Sequence, residues 1–227
     1  MSEKKTVEAW LYSADKERII DLVLKMGAVA ADTLKNSIDS LLTKDVELAR
    51  AIIRGDDEID ALEKKIDNEC LRSIAMRQPV REELRFIFAV LKTITDIERI
   101  GDQAVNIAGW TLDLKNHPEF EVNPAILEMG NMAEHMLRDV LTAFRTSDVE
   151  LAGEICRRDD HLDRMCAEAF NEFIDLMASR RPKNTAVVRI EAGQMLAARY
   201  LERVGDHVTN IAERVYFMIT GETLRKK

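Results

Sequence analysis

Apolar residues recur at intervals of three and four along most of the chain, which is the spacing of one face of an α-helix. Prolines and short polar runs interrupt the pattern at regular points. The interruptions predict six helices, over 14–42, 46–76, 82–114, 124–145, 149–180 and 185–220. Long helices joined by short turns favour antiparallel bundles.

The two halves of the chain repeat each other. A shift of 103 residues lays residues 56–60 (DDEID) on residues 159–163 (DDHLD). After one inserted residue, a shift of 104 lays residues 98–102 (ERIGD) on residues 202–206 (ERVGD). The sequence therefore predicts an all-α fold made by tandem duplication of an antiparallel three-helix bundle.

Prolines also mark the junction between the two copies. Pro118 and Pro124 punctuate a short polar segment, and no comparable segment occurs elsewhere in the sequence. We predict a first three-helix bundle over 1–114, a linker over 115–123 and a second bundle over 124–227.

Carboxylates interrupt the apolar row of the third helix in each copy. In the first copy the row runs through Ile94, Glu98, Gly101 and Val105, so that a glutamate and a glycine stand on the predicted core line. Asp102 follows Glu98 by four residues, and two like charges at this spacing destabilise a helix by about 0.2–0.5 kcal/mol. A glycine inside a helix suits a place where another group comes close.

The same spacing of two acids recurs on the second helix of each copy. Each copy therefore carries two acid pairs, and the eight residues are Asp56, Asp60, Glu98, Asp102, Asp159, Asp163, Glu202 and Asp206. A multivalent cation bridging these oxygens would relieve their repulsion. All-oxygen ligation favours hard cations, with iron, manganese or magnesium as candidates.

Three other interpretations of the acid pairs stay open at this point. Acids four residues apart on a charged helix are most often solvated surface. Arginines such as Arg99 and Arg203 could instead neutralise the acids as buried ion pairs. A duplication can also retain a motif that has no function in one copy.

The composition of the chain argues against several other classes of protein. The net charge of −8 and the lack of a dense basic tract before the last three residues argue against nucleic-acid binding. No apolar stretch approaches a membrane span, and the first residues lack the apolar core of a secretory signal. Cys70, Cys156 and Cys166 form no CxxC pair and are predicted to be buried apolar residues of a cytosolic protein.

Enzyme chemistry has little support in the sequence. His135, His161 and His207 lack the ExxH partner of di-iron carboxylate proteins, and His207 is predicted to lie on the surface. The sequence shows no nucleophile–base pair and no phosphate-cradling glycine loop. We therefore predict that the protein is not an enzyme.

The doubled motif carries a resemblance to a known family. The segments ERIGDQAVNIA (98–108) and LERVGDHVTNIAE (201–213) resemble those of the PhoU family of phosphate-uptake regulators. The likeness covers nearly the whole chain and includes the duplication, the helix order and the acidic positions.

The resemblance implies a cytoplasmic negative regulator of phosphate uptake and of the phosphate-starvation response. Its implied partners are the ATPase subunit of a phosphate ABC transporter, a membrane sensor histidine kinase and a second copy of the chain. Some members of the family carry multinuclear metal clusters on the E/D-xxx-D motifs. That places a cluster on the eight acids above, with iron as the first candidate and zinc, manganese or magnesium as alternatives.

Two other functions follow from the residues. A metal-cluster enzyme, either a hydrolase or an oxidase, would need open coordination positions beside the acids. A purely structural helical scaffold would have the acids paired by arginine.

Overall fold

The computed structural model describes residues 2–114, 117, 121–180 and 185–224, with side chains described from residue 13 onward except at 179, 180 and 186. The described helices are α1 (Ser2–Thr43), α2 (Val46–Gly55), α3 (Asp57–Arg77), α4 (Glu82–Leu114), α5 (Pro124–Thr146), α6 (Val149–Arg180) and α7 (Thr185–Thr220). The first copy comprises α1–α4 and the second copy α5–α7.

The predicted all-α duplication with six long helices is confirmed, with one interruption. The helix predicted over 46–76 breaks at Asp56, which ends α2 and begins α3. The second copy has a single helix, α6, at the equivalent place. Gly55 precedes the break, whereas its counterpart Arg158 lies within the unbroken α6 and forms ion pairs with Glu154 and Asp139.

The first turn is built in the same way in both copies. Lys44 and Ser147 adopt left-handed backbone conformations, with φ of 56° and 58°, and so end the preceding helices. Asp45 and Asp148 then cap the next helices, because one carboxylate oxygen of each accepts hydrogen bonds from the backbone N–H groups two and three residues on.

The predicted linker is described at residue 117 and at its end, 121–123. The side chain of Asn123 caps α5 by accepting a hydrogen bond from the N–H of Ala125 at 2.9 Å. The N–H of Asn123 donates to Oε1 of Gln194 at 2.7 Å, which ties the linker to α7. The first copy has Val90 at the position of Gln194, so this polar contact belongs to the junction and not to the repeated unit.

The two copies pack with α4 antiparallel to α7. Near one end the rings of Phe88 and Phe217 meet edge to face at 6.2 Å, and near the other Arg189 forms an ion pair with Asp113. Between them the Asp96 carboxylate contacts α7. These contacts place the two ERxGD segments at the same level along the helix pair.

Glycines of α1 and α5 give the second contact between the copies. A Cβ on Gly27 would lie 2.3 Å from Cδ2 of Leu141, and a Cβ on Gly130 would lie 2.6 Å from Cδ1 of Ile38. Gly27 and Gly130 are equivalent in the duplication, and so are Ile38 and Leu141. Each copy therefore packs the side chain of an equivalent position, Ile38 or Leu141, against the equivalent glycine of the other copy.

Within the described part of the chain, none of the helices has the length and apolar character needed to cross a bilayer.

Gly193 provides a test of the packing between the copies. The Trp110 ring of α4 lies directly on it, since a Cβ there would come 1.5 Å from Cζ2 of the ring. We expect Gly193→Ala to destabilise the protein by about 1–2 kcal/mol, because overpacking outweighs the gain in helix propensity. Chemical and thermal unfolding measure the change.

Gly109→Ala is the matched control. Gly109 stands next to Trp110 on α4, and nothing lies within 4 Å of its added Cβ. We expect this change to stabilise the helix by up to about 1 kcal/mol. A Gly193→Ala protein as stable as the Gly109→Ala protein would contradict the packing described.

Candidate metal centre

Glu98 lies at the edge of the buried face of α4. The sequence pattern places it on the core line, and that prediction is wrong, because the face centres on Val90, Ile97 and Ala104, each 0% exposed. The side chain of Glu98 is 20% exposed. A carboxylate at this margin stays partly hydrated, which reduces the cost of burying it.

The motif glycines let the second helix of each copy press against the third. A Cβ on Gly101 would lie 2.7 Å from Cδ1 of Ile59, and a Cβ on Gly205 would lie 2.6 Å from Cδ2 of Leu162. Ile59 and Leu162 are equivalent residues. The glycine thus serves close helix packing, which brings the acids of the two helices together.

In the first copy the four predicted acids lie together and are all half-buried. Desolvation, followed by the charges of Asp102, Asp60 and Asp57, raises the pKa of Asp56. Desolvation and Asp102 likewise raise the pKa of Glu98, and Asp60 adds to the effect. Carboxylates of α3 and α4 therefore repel one another across the helix contact.

The break at Asp56 leaves its carboxylate available to this group. Asp56 begins α3, yet its side chain makes no capping hydrogen bond. In Asp45 and Asp148, in contrast, one carboxylate oxygen accepts hydrogen bonds from backbone N–H groups of the helix that the residue begins. The Asp56 carboxylate instead lies near Asp102 of α4.

Glu63 is a fifth acid of this group that the sequence analysis missed. It stands one turn beyond Asp60 on α3, and its Oε1 accepts a hydrogen bond from the Thr95 hydroxyl at 3.4 Å. Desolvation and the charge of Asp67 raise the pKa of Glu63, and Glu63 in turn raises that of Glu98. The helical spacing of 56, 60 and 63 could have revealed it.

The second copy arranges its acids differently. Asp159 is 1% exposed, and one of its carboxylate oxygens would lie 2.7 Å from a Cβ on Gly205. Glu202 is half-buried, whereas Asp163 and Asp206 are exposed. The four acids thus do not share one environment.

An arginine pairs with one acid of the second group, although desolvation still raises the pKa of Glu202. Arg199 forms an ion pair with Glu202, and its counterpart in the first copy is Thr95. Cys166 stands at the position of Glu63. Desolvation, followed by the charge of Glu202, raises the pKa of the Cys166 thiol to about 11. Aligning the two copies position by position would have found both differences.

Arginine also contacts the first group, but less closely. Arg99 lies 3.3 Å from Glu98 and 3.2 Å from Asp102, and its own side chain is 53% exposed. Desolvation and Asp102 nevertheless keep the pKa of Glu98 raised, because these effects exceed that of the arginine. Arg203, the other predicted neutralising residue, is exposed.

Two further predictions need correction. His207 is not a surface residue, because its side chain is 17% exposed and its Nδ1 lies 2.9 Å from Oδ1 of Asp96. The amide of Asn210 donates to the same oxygen at 3.1 Å. Of the cysteines, Cys70 is buried as predicted, whereas Cys156 and Cys166 are only partly buried.

Oxygen donors dominate the first group, and their chemistry suits a hard cation. Among the residues that the structure describes, no three His, Cys, Asp or Glu side chains converge tightly enough to form a metal site. The charges that perturb the carboxyls of each copy come from that copy, so the two groups are electrostatically separate.

The fold and these acid groups define a class of helical proteins built from two three-helix bundles with an acidic ERxGD segment in each. The family model for the PhoU domain matches residues 23–111 and 126–215, once in each copy. The chain belongs to the PhoU family.

Curated relatives and solved structures agree over nearly the whole chain. The phosphate-specific transport system accessory protein PhoU homolog of Clostridium acetobutylicum is 35% identical, over 93% of this chain and 95% of that protein. The homolog from Caulobacter vibrioides NA1000 is 34% identical, over 94% and 91%. The crystal structure of PhoU from Pseudomonas aeruginosa superposes with a TM-score of 0.87 at 31% identity, covering 93% of this chain and all of that one.

The unequal acid groups predict responses of different size to removing one charge. We expect Glu98→Gln to stabilise the protein by about 0.2–0.5 kcal/mol at neutral pH, because it relieves a like-charged pair one helical turn apart. Glu202→Gln should give a smaller gain, because desolvation raises the pKa of Glu202 as well but Arg199, which contacts its carboxylate, lowers it. Thermal unfolding of the two variants beside the unchanged protein measures the difference.

The pH dependence follows from the raised pKa of Glu98. Its charged form destabilises the fold above that pKa, and this cost fades as the pH falls through it toward the ordinary value. The advantage of Glu98→Gln should therefore be largest at neutral pH and shrink in mild acid. A benefit that grows in acid, or an equal benefit from Glu202→Gln, would contradict the arrangement.

Proposed function

We propose that this protein is a negative regulator of phosphate uptake and of the phosphate-starvation response. It acts in the cytoplasm as a non-enzymatic adaptor between the ATPase subunit of a phosphate ABC transporter and a membrane sensor histidine kinase, and it forms a homodimer. The observation that carries the proposal is the match of both copies to the PhoU domain, with the ERxGD segment present in each.

The names of the relatives support the coarser part of this role. Those from Clostridium and Caulobacter are named as accessory proteins of the phosphate-specific transport system. A structure from Streptococcus pneumoniae, with a TM-score of 0.88 at 26% identity, is described as a phosphate transport system regulatory protein. An accessory or regulatory protein acts by contact with other components and needs no chemistry of its own.

A bound cation is the second part of the proposal. In the first copy Asp56, Asp60, Glu98 and Asp102 would hold a hard multivalent ion, with iron first and manganese, magnesium or zinc as alternatives. The raised pKa values of Asp56 and Glu98 support this assignment, because a cation would relieve the repulsion between them. A bound cation supplies positive charge that ties α3 to α4.

The second copy offers the equivalent acids Asp159, Asp163, Glu202 and Asp206. The ion pair of Arg199 with Glu202 competes with a cation there. This pair also favours, for the second copy, the alternative of a structural scaffold in which arginine neutralises the acids. We therefore propose that the first copy binds metal more tightly than the second.

Metal analysis of protein purified without chelator tests the cation proposal. We expect iron or another multivalent cation to co-purify. The double variant Asp56→Asn with Asp102→Asn should lose most of it, because two of the four proposed carboxylate ligands become neutral amides, which bind a cation more weakly. Glu47→Gln removes an exposed acid far from the motif and should retain the metal. Absence of metal from the unchanged protein, or full retention in the double variant, would sink the proposal.

A deletion strain tests the regulatory role. We expect phosphate-responsive genes to be expressed at high phosphate, because the restraint on the kinase is lost, and uptake of labelled phosphate to rise. The unchanged gene and the Glu47→Gln gene should both restore repression. Normal repression in the deletion strain would show that this chain does not regulate the response.

A further inference from the structure

The second copy has an open groove between α6 and α7 with a volume of about 700 Å³. Apolar side chains form most of its lining, and Phe170 and Leu196 remain 47% and 48% exposed. Asp163, Arg199 and Glu202 lie at one end. Contiguous exposed apolar surface of this kind marks interaction sites in soluble proteins.

The groove is a property of the second copy and not of the repeated fold. Four charged residues of the first copy are replaced by apolar ones at the equivalent positions. The replacements are Glu63 by Cys166, Lys64 by Ala167, Asp67 by Phe170 and Lys92 by Leu196. Two large side chains, Phe88 and Ile94, are also replaced by Ala192 and Ala198, and this opens space between the helices.

The apolar strip extends beyond the groove by one turn on α6 and two turns on α7. Ile174 stands one turn past Phe170 on α6 and is 43% exposed, and Val188 precedes Leu196 by two turns on α7 and is 40% exposed. From Asp163 to Ile174 the strip runs roughly 16 Å at the rise of an α-helix. That length fits the apolar face of another helix of about three turns, with anchors one turn apart.

The charge at one end of the groove indicates which charged side chains such a helix would carry. Among the described lining residues, two carboxylates, those of Asp163 and Glu202, stand at this end against one cation, Arg199, which pairs with Glu202. Lysine or arginine on the incoming helix would complement this end.

We infer that the groove between α6 and α7 binds an amphipathic helix of a partner protein. The apolar face of that helix lies along Phe170 and Leu196, and a basic residue lies at the Asp163 and Glu202 end. The inference rests on the proposed adaptor function, because an adaptor requires such a surface.

Fluorescence anisotropy with a defined probe tests the inference. The probe is a labelled synthetic helix of about four turns with leucine on one face and lysine on the other. Phe170→Asp with Leu196→Lys restores the residues of the first copy and leaves the net charge of the protein unchanged. We expect this double variant to bind the probe about tenfold more weakly or worse at physiological salt, because the apolar anchors are lost.

Leu71→Asp with Leu84→Lys is the matched control. It makes the same charge-neutral exchange at side chains of the first copy that are 60% and 47% exposed, and it should leave the affinity unchanged. Circular dichroism confirms that both double variants are folded, and Leu196→Lys alone should give a smaller loss. A second probe with glutamate in place of lysine should not bind.

Three results would overturn the inference. The first is equal affinity of the groove variant and the unchanged protein, and the second is equal binding of the glutamate probe. The third is a groove variant that turns a dimer into a monomer while the lysine probe fails to bind the unchanged protein, which would show that a second copy covers the groove. These measurements use no phosphate response, so they fail independently of the proposed regulatory role.

Discussion

Close approach of helices at glycine is the constraint on which this structure depends. Gly27 and Gly130 admit Leu141 and Ile38 between α1 and α5, and so fix how the two copies meet. Gly101 and Gly205 admit Ile59 and Leu162 between the second and third helices of each copy. A Cβ at any of these positions would collide with the facing side chain, and at Gly101 it would disturb the contact between α3 and α4 that brings their acids together.

That close packing produces different electrostatics in the two copies. In the first, Glu63 joins the acid pairs, and the pKa values of Asp56, Glu63 and Glu98 are all raised. In the second, an arginine replaces Thr95 and contacts Glu202 directly. The same helical frame therefore holds a half-buried acidic group on one side of the duplication, and on the other a group with one arginine-paired acid beside an apolar groove. The two copies thus share their helix arrangement and differ in the side chains that it carries.

The helices, the duplication and the acid spacing were predictable because they depend on local periodicity and on punctuation by Pro and Asp. Which side of α4 forms its buried face was not predictable in this way. Val105 and Leu112 belong to a small cluster with α2, so the apparent core line through Glu98 combined two separate contacts. The position of His207 was missed for a similar reason, since Asp96, its partner, lies on a helix of the other copy.

By itself the sequence determined the all-α class, the two copies, most of the helix ends and the eight acidic positions, because each of these repeats visibly along the chain. Only the tertiary structure decided which acids share a site and which stay exposed. A carboxylate responds to whatever lies within a few ångströms, and that neighbourhood is created by helices far apart in sequence. The pair of Arg199 with Glu202 is local to α7, whereas the raised pKa values of Asp56 and Glu98 depend on the packing of α3 against α4.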